Sequence, residues 1–302
     1  MTIERVVRPA GPYSLVLSTR HSTDATRSVR DGVLGTTLLV DGGRVEVGRA
    51  FQRYDGSIAL HAESDAGIAR LRFVLAVDDD HSGFLRRFHD DPLIGRTTQL
   101  FAGMRQLRLP TVAQTFLRAF CGQLIETRRA RELEFRIVRA TTRRVGASGL
   151  NAPPTCADFA RFAPARLRAL GLHARRAAAL VRICRSTELE RLHALSTDEA
   201  AEWVMRQRGL GPWSAGIVCL EGLGRYECGV VGDLTLIKLM SALRGRWVEA
   251  HETAELLEPY GEWAGLASIY LAMGFKHGLI PLPEETRLKR PPLRFRTAPA
   301  SA

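Results

Sequence analysis

Apolar residues alternate with polar ones through the first quarter of the chain, then recur every third or fourth position through the rest. In the first part, residues 13–20 (YSLVLSTR), 32–50 (GVLGTTLLVDGGRVEVGRA), 56–64 (GSIALHAES) and 68–77 (IARLRFVLAV) all read as strand material. Asp41-Gly42-Gly43 supplies the turn of a hairpin between the two halves of the second stretch. Residues 78–95 (DDDHSGFLRRFHDDPLIG) then read as an acidic loop capping a short helix, with a domain boundary near Pro92.

Beyond Pro92 the period becomes helical. Val112, Phe116, Leu117, Phe120, Cys121, Leu124 and Ile125 lie on one face of a helix in residues 111–141. Residues 151–164 form a turn-rich connector, and residues 164–185 read as two short helices broken at Gly171. Ser196 with Glu199 has the spacing of a capping box, and residues 252–275 supply the last helices. The predicted class is therefore α+β: an N-terminal antiparallel β-rich α/β domain over 1–92, then an all-α region over 93–290. The Pro-rich tail, 291–302, is predicted to be disordered.

The chain has 302 residues and 45% apolar content, enough for a sizeable core. No apolar run approaches the length of a membrane span, and the first residues lack the apolar core of an export signal. Cys121, Cys156, Cys184, Cys219 and Cys228 form no CxxC pair, which points away from zinc and from a disulfide framework. The eight histidines show no metal spacing and read as structural or surface residues. Charge changes the picture more. Residues 1–92 hold 12 Arg against 13 Asp or Glu, whereas residues 93–302 hold 31 Lys or Arg against 19 Asp or Glu, a net +12. The helical part is thus the candidate polyanion binder.

The candidate chemistry lies in residues 208–238, RGLGPWSAGIVCLEGLGRYECGVVGDLTLIK. A helix ends near Gln207 and another begins near Pro212, with Gly209 and Gly211 expected to allow positive φ at the turn. Such a turn aims backbone N–H groups outward, a ready site for a phosphate. Asp233 heads the next apolar segment, where it reads equally as a helix N-cap.

Gly209-Leu210-Gly211-Pro212-Trp213-Ser214-Ala215 followed by Gly232-Asp233-Leu234 resembles the signature of the helix-hairpin-helix (HhH-GPD) DNA glycosylases. Within them it is most similar to the 3-methyladenine DNA glycosylase II (AlkA) type. Residues 120–130 (FCGQLIETRRA), 170–180 (LGLHARRAAAL), 263–274 (WAGLASIYLAMG) and the 78–95 link resemble further family segments in the same order. The resemblance implies two helical subdomains with the active-site cleft between them, and Gly209, Leu210, Gly211 and Ser214 on the DNA backbone. It gives Asp233 the role of stabilising the oxocarbenium-like sugar or activating the attacking water. Gln123 and Leu124 fall at the family's wedge position, with Leu124 filling the gap left by a flipped base. Trp213 and Tyr270 fall at base-pocket positions, where an aromatic face favours a cationic base. Ile217 replaces the family's common tyrosine.

The lyase members place a lysine where this chain has Trp213, and no lysine occurs before Lys238, so hydrolysis without strand cleavage is the expectation. No iron–sulfur cluster and no zinc are implied. A sodium or potassium ion on the backbone carbonyls of Met205, Gln207 and Leu210 is implied by the resemblance alone. So are damaged double-stranded DNA as partner, a monomer, no membrane association and a place in the bacterial cytoplasm or nucleoid. Two alternatives stand beside the alkylated-base reading: the same fold acting on oxidised or deaminated purines, and a non-catalytic protein that binds damaged or structured DNA.

Overall fold

The computed structural model describes residues 2–123 and 126–283. Five strands form one antiparallel sheet: β1 (Ile3–Val7), β2 (Arg27–Arg30), β3 (Val33–Leu39), β4 (Val45–Gln52) and β5 (Ile58–Ala62), in the spatial order β1-β5-β4-β3-β2. The β3–β4 connection turns at Asp41–Gly43, where Gly42 and Gly43 both take positive φ (71° and 75°), as the hairpin reading requires.

Two stretches that alternate like strands are helices instead. Residues 13–20 contain α1 (Leu15–Thr19), started by Ser14, whose Oγ accepts from the Leu17 amide at 3.3 Å. Residues 68–77 belong to α2 (Asp65–Leu75), capped by the Ser64 hydroxyl on the Gly67 amide at 3.1 Å. In α2 the buried residues are Ile68, Leu71, Val74 and Leu75, a helical rather than a two-residue spacing, and they pack on Leu34, Leu38, Ala50, Ile58 and Leu60 of the sheet. The alternation in this segment was equally compatible with either period; the cap and the open sheet face decided it.

The chain then enters α3 (Ser82–Arg87) and α4 (Gly95–Leu100), followed by α5 (Val112–Gly122) and α6 (Thr127–Thr141). Next come α7 (Cys156–Ala160), α8 (Pro164–Ala169), α9 (Ala174–Ser186), α10 (Thr197–Met205) and α11 (Pro212–Ile217). The last helices are α12 (Leu234–Arg244), α13 (Thr253–Leu257) and α14 (Ala264–Lys276). Gly171, at φ 109°, breaks α8 from α9, and the Ser196–Glu199 capping box opens α10, both as the sequence indicates. The single helix expected over 111–141 is two, α5 and α6.

Side chains gather into three cores. One joins the sheet to α2 and Leu107. The second fills the space between α5, α6, α9, α10 and α11. The third is aromatic and joins Phe84, Phe88, Ile94 and Met104 to α12–α14. The boundary expected near Pro92 therefore lies earlier, since Phe84 and Phe88 already pack with Tyr260 and Tyr270 at ring separations of 5.0–5.1 Å. The C-terminal helical body is discontinuous in sequence, drawing on residues on both sides of the α5–α11 body. Residues 291–302 lie outside the described residues.

Two buried charge clusters lock these bodies together. Arg118 of α5 reaches Asp24 of the sheet domain (3.2 Å), Glu134 of α6 (2.9 Å) and Glu221 beyond α11 (2.6 Å). Burial alone would push the Asp24 carboxyl up, but Arg27, Arg118 and the Thr26 hydroxyl and amide outweigh it and hold the group below its usual value. The second cluster gathers around Asp79. Asp79 accepts from both Arg108 and the Tyr226 hydroxyl, and Arg108 also donates to the Gly224 carbonyl (3.3 Å). His81, fully buried, stands edge-on to Tyr226 at 4.8 Å, and burial with Arg105 and Arg108 nearby depresses its pKa to about 3.

Candidate active site

The turn between α10 and α11 is the hairpin anticipated from the sequence. Gly209 has φ 92°, but Gly211 is extended at φ −138° and needs no left-handed conformation, which corrects the expectation for that glycine. A Cβ on either residue would meet nothing within 4 Å, so the glycines leave an open outer surface. Among the described residues no acceptor is placed on the N–H groups of Gly211, Trp213 or Ser214, whereas the Leu210 amide is bound to Gln207 O at 3.0 Å. Pro212 has no N–H to satisfy and sits at the start of α11. Ser214 is buried; Leu210 packs into the α5–α11 core.

Gln123 was expected to act beside the wedge. Its side chain instead braces the hairpin, Nε2 donating to Gly209 O at 2.7 Å and to Ser214 Oγ at 3.3 Å. Leu124 lies outside the described residues. The end of α5 and the hairpin are thus tied directly to each other.

Trp213 and Asp233 come together although 20 residues separate them. The indole Nε1 donates to Asp233 Oδ2 at 3.3 Å, while Oδ1 accepts from the Thr235 amide at 2.8 Å as the N-cap of α12. The N-cap reading of Asp233 holds in this geometry. No Arg, Lys or His approaches its carboxylate within 4 Å among the described residues, so its charge is not cancelled by a partner.

Glycines that the motif alone would not single out make this approach possible. A Cβ on Gly216 would stand 2.6 Å from Gly229 O, so only glycine lets the 229–230 segment cross α11 one turn past Trp213. That segment leads into Asp233. A Cβ on Gly122 would stand 2.5 Å from Trp213 Cη2, so the end of α5 doubles as a platform for the indole. Gly232, at φ 85°, donates its amide to Thr253 Oγ1 (2.8 Å), and the Val230 amide donates to Ser268 Oγ (3.1 Å). The turn carrying Asp233 is thereby pinned to α13 and α14.

Ile217 is half-buried on α11, one helical turn after Trp213. Tyr270 is not at an open pocket wall as expected. It is fully buried in the aromatic core, its ring 5.1 Å from Phe84 and its hydroxyl donating to Phe101 O at 3.2 Å. Burial raises its pKa to about 12, so it stays a neutral donor there. The carbonyls of Met205 and Leu210 accept no hydrogen bond among the described residues, and that of Gln207 accepts from Leu210. Among the described residues no His, Cys, Asp or Glu group of three or more is placed to hold a metal.

No family model matches the chain. A curated DNA-3-methyladenine glycosylase of Bacillus subtilis (strain 168) is 26% identical over 204 residues, covering 65% of this chain and 67% of the relative. A 3-methyladenine DNA-glycosylase from Archaeoglobus fulgidus superposes with TM-score 0.80 at 21% identity, over 90% of this chain and 98% of that one. The chain shares the fold of known DNA glycosylases. The fold of an 8-oxoguanine glycosylase/lyase of Clostridium acetobutylicum, solved with double-stranded DNA, also matches, at TM-score 0.74 and 17% identity over 92% of this chain and 98% of that one. The fold is therefore shared by enzymes named for different bases, so any base preference must be argued from site residues and not from the fold. Among the described residues no helix is long and apolar enough to cross a membrane.

Proposed function

We propose that the protein is a monofunctional DNA glycosylase that hydrolyses the N-glycosidic bond of alkylated bases, 3-methyladenine and related lesions, in duplex DNA. The observation that carries this reading is Asp233: an unpaired, half-buried carboxylate held by the Thr235 amide and Trp213 Nε1 next to the hairpin. In the reaction the C1′–N bond breaks and its electron pair leaves with the base. An alkylated base is cationic and leaves as a neutral molecule, so it needs no acid to protonate it. Positive charge grows on the sugar, and the fixed negative charge of Asp233 stabilises it. Water then bonds to C1′ and loses its proton to Asp233 or solvent, leaving an abasic sugar.

The hairpin's free N–H groups hold a DNA phosphate, and Trp213 offers an aromatic face to the flipped cationic base. With Tyr270 buried, the pocket rests on Trp213 and Ile217, which favours a small alkylated purine. With tryptophan in place of the lyase lysine, no Schiff base forms and strand cleavage does not follow. The backbone carbonyls of Met205, Gln207 and Leu210 would hold a sodium or potassium ion, which would stiffen the turn; those of Met205 and Leu210 accept no hydrogen bond among the described residues. The protein acts as a monomer on chromosomal DNA in the cytoplasm.

The test is release of bases from methylated duplex DNA, separated by chromatography, for the wild type beside Asp233→Asn. Release of 3-methyladenine by the wild type alone bears the proposal out. Release from oxidised or deaminated duplexes only would transfer the protein to the other base class, and a blank panel would leave a DNA-binding protein without catalysis.

A further inference from the structure

Nearly all of the protein's excess charge sits in one place away from the hairpin. Residues 126–186 carry 14 Arg and four Asp or Glu, a net +10, in a chain whose total is +11. The carboxylates do little to offset it. Glu134 is buried against Arg118, and Asp158 is taken up by its capping box and Arg161. Glu132 makes one exposed contact with Arg128 at 3.8 Å. Arg129, Arg139 and Arg143 are exposed and have no carboxylate within 4 Å among the described residues.

The arrangement is directional. Arg128, Phe135, Arg136 and Arg139 recur at helical spacing along α6, with Arg143 just past its end, forming a stripe on the outer face. Arg128 to Arg139 spans roughly 17 Å at 1.5 Å per residue, the length of about five phosphates along one strand of a duplex. Alongside the stripe the surface is dished into an open groove of about 510 Å³, lined by Arg131, Phe135, Arg136 and Arg139, with Asp24 already engaged by Arg118. The stripe also has a fixed origin. α5 is anchored to the hairpin through Gln123, and α6 starts four residues later. Arg176 donates to Phe120 O (3.4 Å), which brings the start of α9, with exposed Arg175, to the same end.

We propose that this arginine face is a second DNA-binding surface, which holds the sugar-phosphate backbone of duplex flanking the segment seated on the hairpin. Arginine suits the role because its fork bonds phosphate oxygens and it stays charged at all working pH values. Phosphate contacts of this kind carry no sequence information, so the face raises affinity for any duplex long enough to reach it. The inference rests on the reading that the substrate is duplex DNA, but not on which base is removed.

The triple substitution Arg129→Gln/Arg139→Gln/Arg143→Gln removes charges that make no hydrogen bond or ion pair among the described residues. Binding of undamaged 12- and 30-base-pair duplexes is measured by fluorescence anisotropy from 50 to 200 mM salt, with thermal melting to verify the fold. For the long duplex the variant should lose about 2.7 from the slope of log K against log salt, about 0.9 for each phosphate contact removed. The short duplex should show little change, and Lys at the same three positions should restore most of the slope. Unchanged slopes on the long duplex overturn the proposal, as does an equal loss on both lengths, which would place these arginines at the hairpin site itself. Loss of binding to an acidic protein with DNA affinity intact would overturn it too. Because these duplexes carry no lesion, failure of base release would count against the glycosylase reading without deciding this one.

Discussion

The two helical bodies that meet at Trp213 and Asp233 differ in charge and in core. The α5–α11 body has a mostly aliphatic interior around Phe116, Phe120 and Phe159 and an arginine-covered outer face. The α12–α14 body is built around Phe84, Phe88, Tyr260 and Tyr270, and its residues 234–283 carry four Lys or Arg against five Glu. The difference separates grip from chemistry. A polyanion is attracted to one side of the junction, while on the other the Asp233 carboxylate has no cation within 4 Å among the described residues. Had Asp233 stood on the arginine-rich body, an ion pair would have spent its charge before any sugar arrived.

Removing the carboxylate is the strongest way to break this division. Asp233→Asn keeps the cap on Thr235 through Oδ1 and exchanges the indole's acceptor for an amide NH2; DNA binding should persist while base release falls by about 10² or more, in line with loss of a preorganised electrostatic group. Single-turnover release beside anisotropy separates the two quantities; equal loss of both would mean that Asp233 serves binding. Next in size is Arg118→Met, which leaves Asp24, Glu134 and Glu221 buried together without their cation. Urea unfolding at neutral pH should show a loss of about 3–5 kcal/mol. Because Asp24 is held below its usual pKa, its share of wild-type stability is present above about pH 4 and disappears as the pH falls through the folded value.

A smaller perturbation sharpens the contact between the bodies. Gly216→Ala forces a methyl against Gly229 O, and overpacking of this kind costs about 1–3 kcal/mol. Base release should fall by more than stability alone explains, because the 229–230 segment sets where Asp233 stands; release unchanged at full folding would show that the crossing tolerates displacement. The smallest effect is confined to acid. His81 titrates near 6.5 when unfolded but at about 3 when folded, so between those values the unfolded chain binds the extra proton. Stability therefore rises with pH through that window and should be about 1 kcal/mol lower at pH 5.8 than at neutral pH. His81→Phe, which keeps the edge-on ring against Tyr226, should flatten that part of the urea-midpoint profile.

Much of the local structure was legible in residue order because it depends on near neighbours. Asp41-Gly42-Gly43 turns, Ser196 and Glu199 cap, Gly171 breaks a helix and Asp233 starts one, each through bonds within a few residues. The hairpin was legible in its glycines and proline, and Asp233 as its partner only through the family resemblance. Residues 68–77 satisfy strand and helix periods alike; the Ser64 cap and the open sheet face select the helix.

What only the tertiary structure decided involves residues distant in the chain. Phe84 and Phe88 follow the sheet domain in sequence but pack on α14, because the aromatic core needs their volume, and this moves the domain boundary. Tyr270 has the residue type of a pocket wall, yet the same core takes its ring and Phe101 its hydroxyl. Gln123 turns back to the hairpin, and Trp213 meets Asp233 only because Gly216 allows a backbone crossing of α11. A chain's pattern specifies the bonds each residue makes with its neighbours along the helix or turn; which surfaces are left to face a substrate is settled by packing, where volume and unpaired hydrogen-bonding groups must be satisfied together.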